Sequence, residues 1–148
     1  MIDLKIDNLL VNKEVNENLE SILKRKAFSN GYIFYGPEGI GKKQTAMKFI
    51  MKIFNKYSSN SNIEKKIINN NHPDFLLIEP TYFFKGNLIN RSEAEPTKNN
   101  KETIRIEQIR NLKTFLGQKS IESGGKIVLI DDAPVSYTHL TLPTICSV

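Results

Sequence analysis

The sequence is nearly empty of cysteine, has no tryptophan, and carries two histidines in 148 residues. Each shortage removes a class of chemistry. Cys146 is the single cysteine, so a disulfide framework is excluded and a cysteine-rich zinc module cannot be assembled. No apolar run approaches the roughly twenty residues that a membrane span requires. Asp3 and Asp7 interrupt the start, where a signal peptide would place its apolar stretch. These absences lead to the expectation of a soluble, cytoplasmic protein without membrane contact. A hydrophobic content of 39% is enough for one core. The net charge of +5 permits contact with nucleic acid. The lysines are scattered, however, and Asn-, Lys- and Ile-rich usage fits an AT-rich genome, so charge alone is weak support for DNA proximity. There are no internal repeats.

What the chain does have is a glycine-spaced loop, Gly36-Pro37-Glu38-Gly39-Ile40-Gly41-Lys42. Glycines at this spacing let successive backbone N–H groups turn inward as an anion nest, and a following helix adds the positive end of its dipole. Lys42 is placed to reach the β- and γ-phosphates of a bound nucleotide. The next residue normally carries a hydroxyl that ligates the bridging Mg²⁺. Here it is Lys43, which cannot. The flanks support a phosphate loop over a simple glycine-rich turn. Gly31-Tyr32-Ile33-Phe34-Tyr35 reads as a short buried strand feeding the loop, and Ala46, Phe49, Ile50, Ile53 and Phe54 recur at helical spacing after it.

A second segment, Lys126-Ile127-Val128-Leu129-Ile130-Asp131-Asp132, is a continuous apolar strand ending in a Walker B-like pair of carboxylates. In a phosphate-loop protein the first carboxylate holds the Mg²⁺ shell, and in ATPases of the AAA+ type a following Glu activates the attacking water. Asp132 is one methylene shorter than that Glu, and a misplacement of about 1 Å can cost on the order of a hundredfold in rate. Two parts of one machine are altered together, and no residue is assigned a secure catalytic role. The alternative is that Asp131 and Asp132 only begin a turn.

His72-Pro73-Asp74-Phe75-Leu76-Leu77-Ile78-Glu79-Pro80 reads as a turn, a buried strand and a stop. Ile104-Arg105-Ile106-Glu107-Gln108-Ile109-Arg110 leads into a helix with Ile109, Leu112, Phe115 and Leu116 on its inner face. Taken in order, the loop 36–42, His72-Pro73-Asp74, Ile106-Glu107-Gln108-Ile109-Arg110 and Ile130-Asp131-Asp132-Ala133 resemble the delta-prime family of the bacterial DNA polymerase III clamp loader. The resemblance covers nearly all of residues 1–133. It implies a P-loop NTPase fold of the AAA+ type and a non-hydrolysing stator that helps the loader place the sliding clamp on primed DNA. Its implied partners are the motor ATPase and delta subunits, with the clamp and primed DNA engaged indirectly. Lys43 and Asp132 suit a silent subunit. A working AAA+ ATPase of the motor or of a related replication or recombination system is the alternative, and would be expected to have Ser or Thr at 43 and Glu at 132. Some members carry a four-cysteine zinc module between the loop helix and the next strand; the polar stretch Asn55 to Asn71 has no cysteine, so no zinc site is expected, and no residue is assigned as a metal ligand.

The expected nucleotide-binding set is Gly36, Pro37, Glu38, Gly39, Ile40, Gly41, Lys42 and Lys43. ATP, bound without turnover, is the cofactor this leaves open, and Mg²⁺ is undecided. Val15, Leu19, Ile22 and Leu23 form one face of a helix ahead of the loop, with Lys24, Arg25 and Lys26 at its C-terminal turn. Residues 81–101 read as a connector: Tyr82, Phe83 and Phe84 anchor one side, and 87–101 form a polar mobile loop without chemistry.

After Ala133 the pattern changes. Val135-Ser136-Tyr137-Thr138-His139-Leu140-Thr141-Leu142-Pro143-Thr144 matches the translation of a common transposase-based sequencing adapter. Residues 134–148 are accordingly expected to be non-native read-through, to be set aside in fold reasoning. Cys146 and His139 go with them, which leaves no Cys–His nucleophile and assigns His72 a surface or capping role. The expected fold is α/β: a three-layer phosphate-loop architecture over 1–133, truncated, with a parallel sheet from strands at 32–35, 75–78 and 126–130 covered by helices.

Overall fold

The computed structural model describes residues 13–58, 62–84, 87–90 and 103–133. The chain runs through α1 (Lys13–Arg25), α2 (Lys42–Tyr57), α3 (Ile63–Ile68), β1 (Phe75–Ile78), β2 (Thr81–Phe84), β3 (Asn87–Asn90), α4 (Ile106–Gly117) and β4 (Ile127–Ile130). Bracketed by Pro73 and Pro80, the run Phe-Leu-Leu-Ile has the length and composition of a strand and becomes β1. It pairs in parallel with β4, Phe75 opposite Ile127 and Ile78 opposite Ile130. Unbroken apolar runs are the usual composition of parallel strands, and here Phe75 and Ile78 of β1 are buried while the residues of β4 are half-buried. Helices and a parallel pair make the chain α/β, as expected.

The core lies between α2, α3 and this pair. Ile50, Met51, Phe54, Ile63, Ile67 and Phe75 are buried together, and Met47, Leu77, Ile127 and Leu129 pack against them. Each such side chain contributes roughly 1.5–3 kcal/mol on burial. The helical spacing read from the sequence places Ala46, Phe49, Ile50 and Phe54 correctly on the buried face of α2. Helix α3 was not anticipated. It lies in the polar stretch 55–71, where Ile63 and Ile67, four residues apart on one face, carry the burial among Asn and Lys.

Three further expectations require correction. The segment 32–35 forms no strand: Ile33 and Tyr35 are 91% and 92% exposed, and the parallel sheet among the described residues has only β1 and β4. The aromatic, β-branched composition does favour extended backbone; burial failed because no neighbouring strand takes up its N–H and C=O groups. Phe34 is half-buried, and Tyr32 packs edge-on to Phe49 at 5.3 Å. Part of the connector is ordered, since β2 and β3 form an antiparallel hairpin, and Thr81 also bridges to Thr103. Finally, His72 is buried rather than on the surface. Residues 85–86 and 91–101 of the connector, and the tail 134–148, lie outside the described residues.

His72 and Asp74 tie the structure together. Asp74 is 0% exposed, and its carboxylate accepts the backbone N–H groups of Ile121 at 2.8 Å, Glu122 at 2.7 Å and Ser123 at 2.9 Å. Its own carbonyl accepts the N–H of Ile127 at 2.9 Å, the first residue of β4. Burial pushes the Asp74 pKa upward, but the three N–H bonds, with help from Lys126, more than offset it and hold the carboxyl below its ordinary 3.8. His72 stacks on Phe54 with ring centroids 4.6 Å apart and planes 8° from parallel. Its Nδ1 accepts the Asp74 N–H, so in the neutral ring Nε2 carries the proton and donates to Ser123 Oγ at 3.3 Å. That tautomer cannot take a proton from Ser123, which excludes a Ser–His nucleophile. Burial lowers the His72 pKa below 6.5, against the raising influence of Glu122 and Asp74.

Asp74→Asn keeps one acceptor oxygen for three donors, and is expected to cost about 2–4 kcal/mol of unfolding free energy in a denaturant titration. Glu122→Gln, which loses a half-exposed ion pair with Lys66, should cost under about 1 kcal/mol. Both pKa directions make the folded state bind fewer protons than the unfolded chain. Stability is therefore full above pH 6.5 and falls as pH drops from 6.5 to the lowered folded value of His72. It falls again below 3.8 as Asp74 is forced to protonate. Unfolding free energies measured from neutral to acid pH should show both declines, and His72→Gln should remove the first.

A lysine-filled carboxylate site at the loop helix

The candidate site is built by three elements that meet at the C-terminal ends of β1 and β4. The parallel register puts Ile78 opposite Ile130, and the ladder continues with Asp131 N–H donating to the Ile78 carbonyl at 2.9 Å. The next residues, Glu79 and Asp131, therefore sit side by side at the strand ends. Gln108, in the first turn of α4, clamps the same end. Its Oε1 accepts the Arg105 N–H at 2.8 Å and its Nε2 donates to the Glu79 carbonyl at 2.9 Å. The His72-Pro73-Asp74 and Ile106–Arg110 segments thus work as staples at opposite ends of one strand.

The loop 36–41 precedes α2. Gly39 at φ 76° and Gly41 at φ 85° occupy left-handed backbone that side chains with a Cβ rarely adopt, which explains glycine at both positions. Gly41 is the N-cap of α2, and its carbonyl accepts both the N–H and the hydroxyl of Thr45 at 2.9 Å. Gly36, Pro37, Glu38, Gly39 and Ile40 are exposed and accessible to a ligand. Lys42 folds back over the loop, its Nζ donating to the carbonyls of Gly36 at 2.8 Å and Pro37 at 2.9 Å.

Lys43 points the other way, toward the sheet. Its Nζ forms an ion pair with Glu79 Oε1 and another with Asp131 Oδ2 at 3.3 Å. The Glu79 side chain is 6% exposed, so the ammonium offsets part of the cost of burying its charge. Severing a buried pair of this kind costs about 3–5 kcal/mol, and the 28% exposure of the Lys43 side chain places this one toward the lower end. The exposed pairs Lys13–Glu17 and Lys52–Glu20 contribute under about 1 kcal/mol each. Asp132 turns out of the strand into left-handed backbone at φ 50° and is exposed. Of the two Walker B-like carboxylates, it is Asp131 that faces the loop helix.

A Mg²⁺ ion at this junction would need an oxygen from position 43 and free lone pairs on the strand-end carboxylate. The residues present do not fit it, because an ammonium already stands against both carboxylates. No group of three or more His, Cys, Asp or Glu stands where it could hold a metal ion among the described residues. From the sequence, Lys43 stands out as a departure from the loop pattern and Asp131 as the first carboxylate of a Walker B-like pair, while Glu79 reads only as the end of a strand. The signal was present: a Glu one residue after an apolar strand, before Pro80, at the same end of a parallel pair as Asp131. No helix among the described residues is long and apolar enough to cross a membrane.

Comparison with known proteins places this geometry in a family. No curated protein and no solved structure matches the chain. The family model described as DNA polymerase III, delta subunit, matches residues 11–136, which span the loop, both strands of the parallel pair and the two staples. The chain belongs to this DNA polymerase III clamp-loader family and has a clamp-loader-related role in DNA replication.

Proposed function

We propose that the chain acts as a delta-prime-like stator of the clamp loader, contributing surface and rigidity to the assembly that places the sliding clamp on primed DNA, without hydrolysing ATP itself. The observation that carries this reading is Lys43 on Glu79 and Asp131. A motor subunit needs a metal at that junction and a carboxylate base beyond it. This chain offers an ammonium in the first place, and an exposed, left-handed Asp132 in the second. Partners are the motor ATPase and delta subunits of the loader, the clamp and DNA being reached through them in the cytoplasm. The loop keeps the backbone and the lysine that recognise a triphosphate, so ATP binding without turnover is compatible with the stator role; Lys42 would leave the Gly36 and Pro37 carbonyls to meet it.

The same reading extends to the chain's architecture as a partial AAA+ domain over 1–133 followed by adapter read-through. The exposure of Ile33 and Tyr35 supports this reading, because an aromatic, β-branched run of this kind is suited to pairing within a larger sheet.

Combined with the motor and delta subunits of its own polymerase, the chain is expected to enter a stoichiometric complex whose ATP hydrolysis is unchanged by Lys42→Ala in this chain. Hydrolysis by the isolated chain that disappears in Lys42→Ala would instead identify a working ATPase. Sequencing the source gene across codon 133 by an adapter-free method is expected to show the frame continuing differently after Ala133; an unchanged frame through Val148 would overturn the read-through.

A further inference from the structure

The two loop lysines have different chemical roles. Lys42 can swing away from exposed carbonyls toward a ligand. Lys43 is held by two carboxylates from two strands, one of them buried, and this is the place where a loop of this build takes a divalent ion. The geometry points to Lys43 as a built-in cation: its ammonium substitutes for the divalent metal between α2 and the ends of β1 and β4, and closes the site to Mg²⁺ and Mn²⁺. This deepens the silent-loop reading above and rests on the same site.

The charges explain why the substitution is sufficient. Glu79 and Asp131 are forced together by strand register, and two adjacent carboxylates in a partly buried setting repel unless a cation lies between them. An ammonium donates a hydrogen bond to Glu79 and forms an ion pair with Asp131, and it is covalently attached to α2, so no ion has to be captured or dehydrated. A metal approaching the same oxygens meets a like charge about one contact distance away. The consequence for α2 is constancy: its first turn is held to the sheet in every nucleotide state, whereas a metal-dependent loop loses that bridge whenever the nucleotide and metal leave. Replacing Lys43 by Ser removes the ammonium and supplies a hydroxyl, leaving three oxygen donors and room for water, which suits a hard octahedral ion.

Mn²⁺ is the probe, titrated into the full chain with detection by electron paramagnetic resonance and by broadening of the Glu79 and Asp131 amide signals. The wild-type chain is expected to show no saturable Mn²⁺ site at Asp131. Lys43→Ser should gain one at least about tenfold tighter, Lys43→Arg should stay closed, and Lys43→Ser combined with Asp131→Asn should lose the gain. Saturable Mn²⁺ broadening at Asp131 in the wild type overturns the inference, as does a folded Lys43→Ser that gains no site. Should that variant fail to fold, acylation of wild-type amines followed by mass spectrometry decides. Lys43 is expected to react about tenfold more slowly than the exposed Lys119, and equal reactivity overturns the inference. None of these readouts requires the loader partners, so a failure to assemble would count against the stator role and leave the built-in cation standing.

Discussion

One buried carboxylate sets the geometry on which everything else rests. Asp74 fixes the backbone of residues 121–123 through its side chain and the first residue of β4 through its carbonyl. It therefore determines where β4 begins relative to β1. In a parallel pair the register at one end dictates the neighbours at the other, and a slip of one residue would reverse every side chain of β4. The meeting of Glu79 and Asp131 is thus decided at Asp74, a full strand length away. His72 supports this arrangement by filling the space against Phe54 and by satisfying the Asp74 N–H and the Ser123 hydroxyl in one fixed tautomer.

The opposite end is held by different chemistry. At the start of the strands, backbone N–H groups surround a carboxylate; at their end, a lysine and a glutamine reach in from two helices. Gln108 carries no charge and fastens α4 to the Glu79 carbonyl, while Lys43 carries charge and fastens α2 to the Glu79 carboxylate. Glu79 is accordingly joined to both helices at once, through different atoms. In a motor subunit the corresponding junction must respond to nucleotide. Here it is bridged by side chains of the chain itself.

Much of this was legible in the sequence because the elements concerned have strong periodicity or sharp punctuation. The strands at 75–78 and 127–130, the buried face of α2 and the start of α4 follow from apolar runs, helical spacing and bracketing prolines. The glycine-spaced loop and the Asp131 pair were visible as motifs, and the oddity of Lys43 was visible as a departure from one. The misses have a common cause. Helix α3 is stabilised by the burial of Ile63 and Ile67, which a polar composition conceals, and the hairpin β2–β3 by a pairing between two segments that local sequence does not record. The failure of 32–35 to form a strand turned on the absence of a neighbour, which no local property of Tyr-Ile-Phe-Tyr records. Glu79 acquired its importance only from register, a relation between two segments about fifty residues apart.

Helix α1 stands apart from this framework. It has no buried residue, and two lysines of α2 reach across to it, Lys52 to the Glu20 carboxylate and Lys56 to the Leu23 carbonyl. Its Leu19, Ile22 and Leu23 are only half-covered. An element held mainly by exposed lysine tips and a partial apolar seam lies at the low end of a protein's local stability. Its amides should exchange with solvent well before those of α2, and protease cleavage in native conditions should begin there. Such a helix can be lifted away at small cost while the core stays folded, which would bare the α2 residues Phe49 and Lys52 that it partly covers.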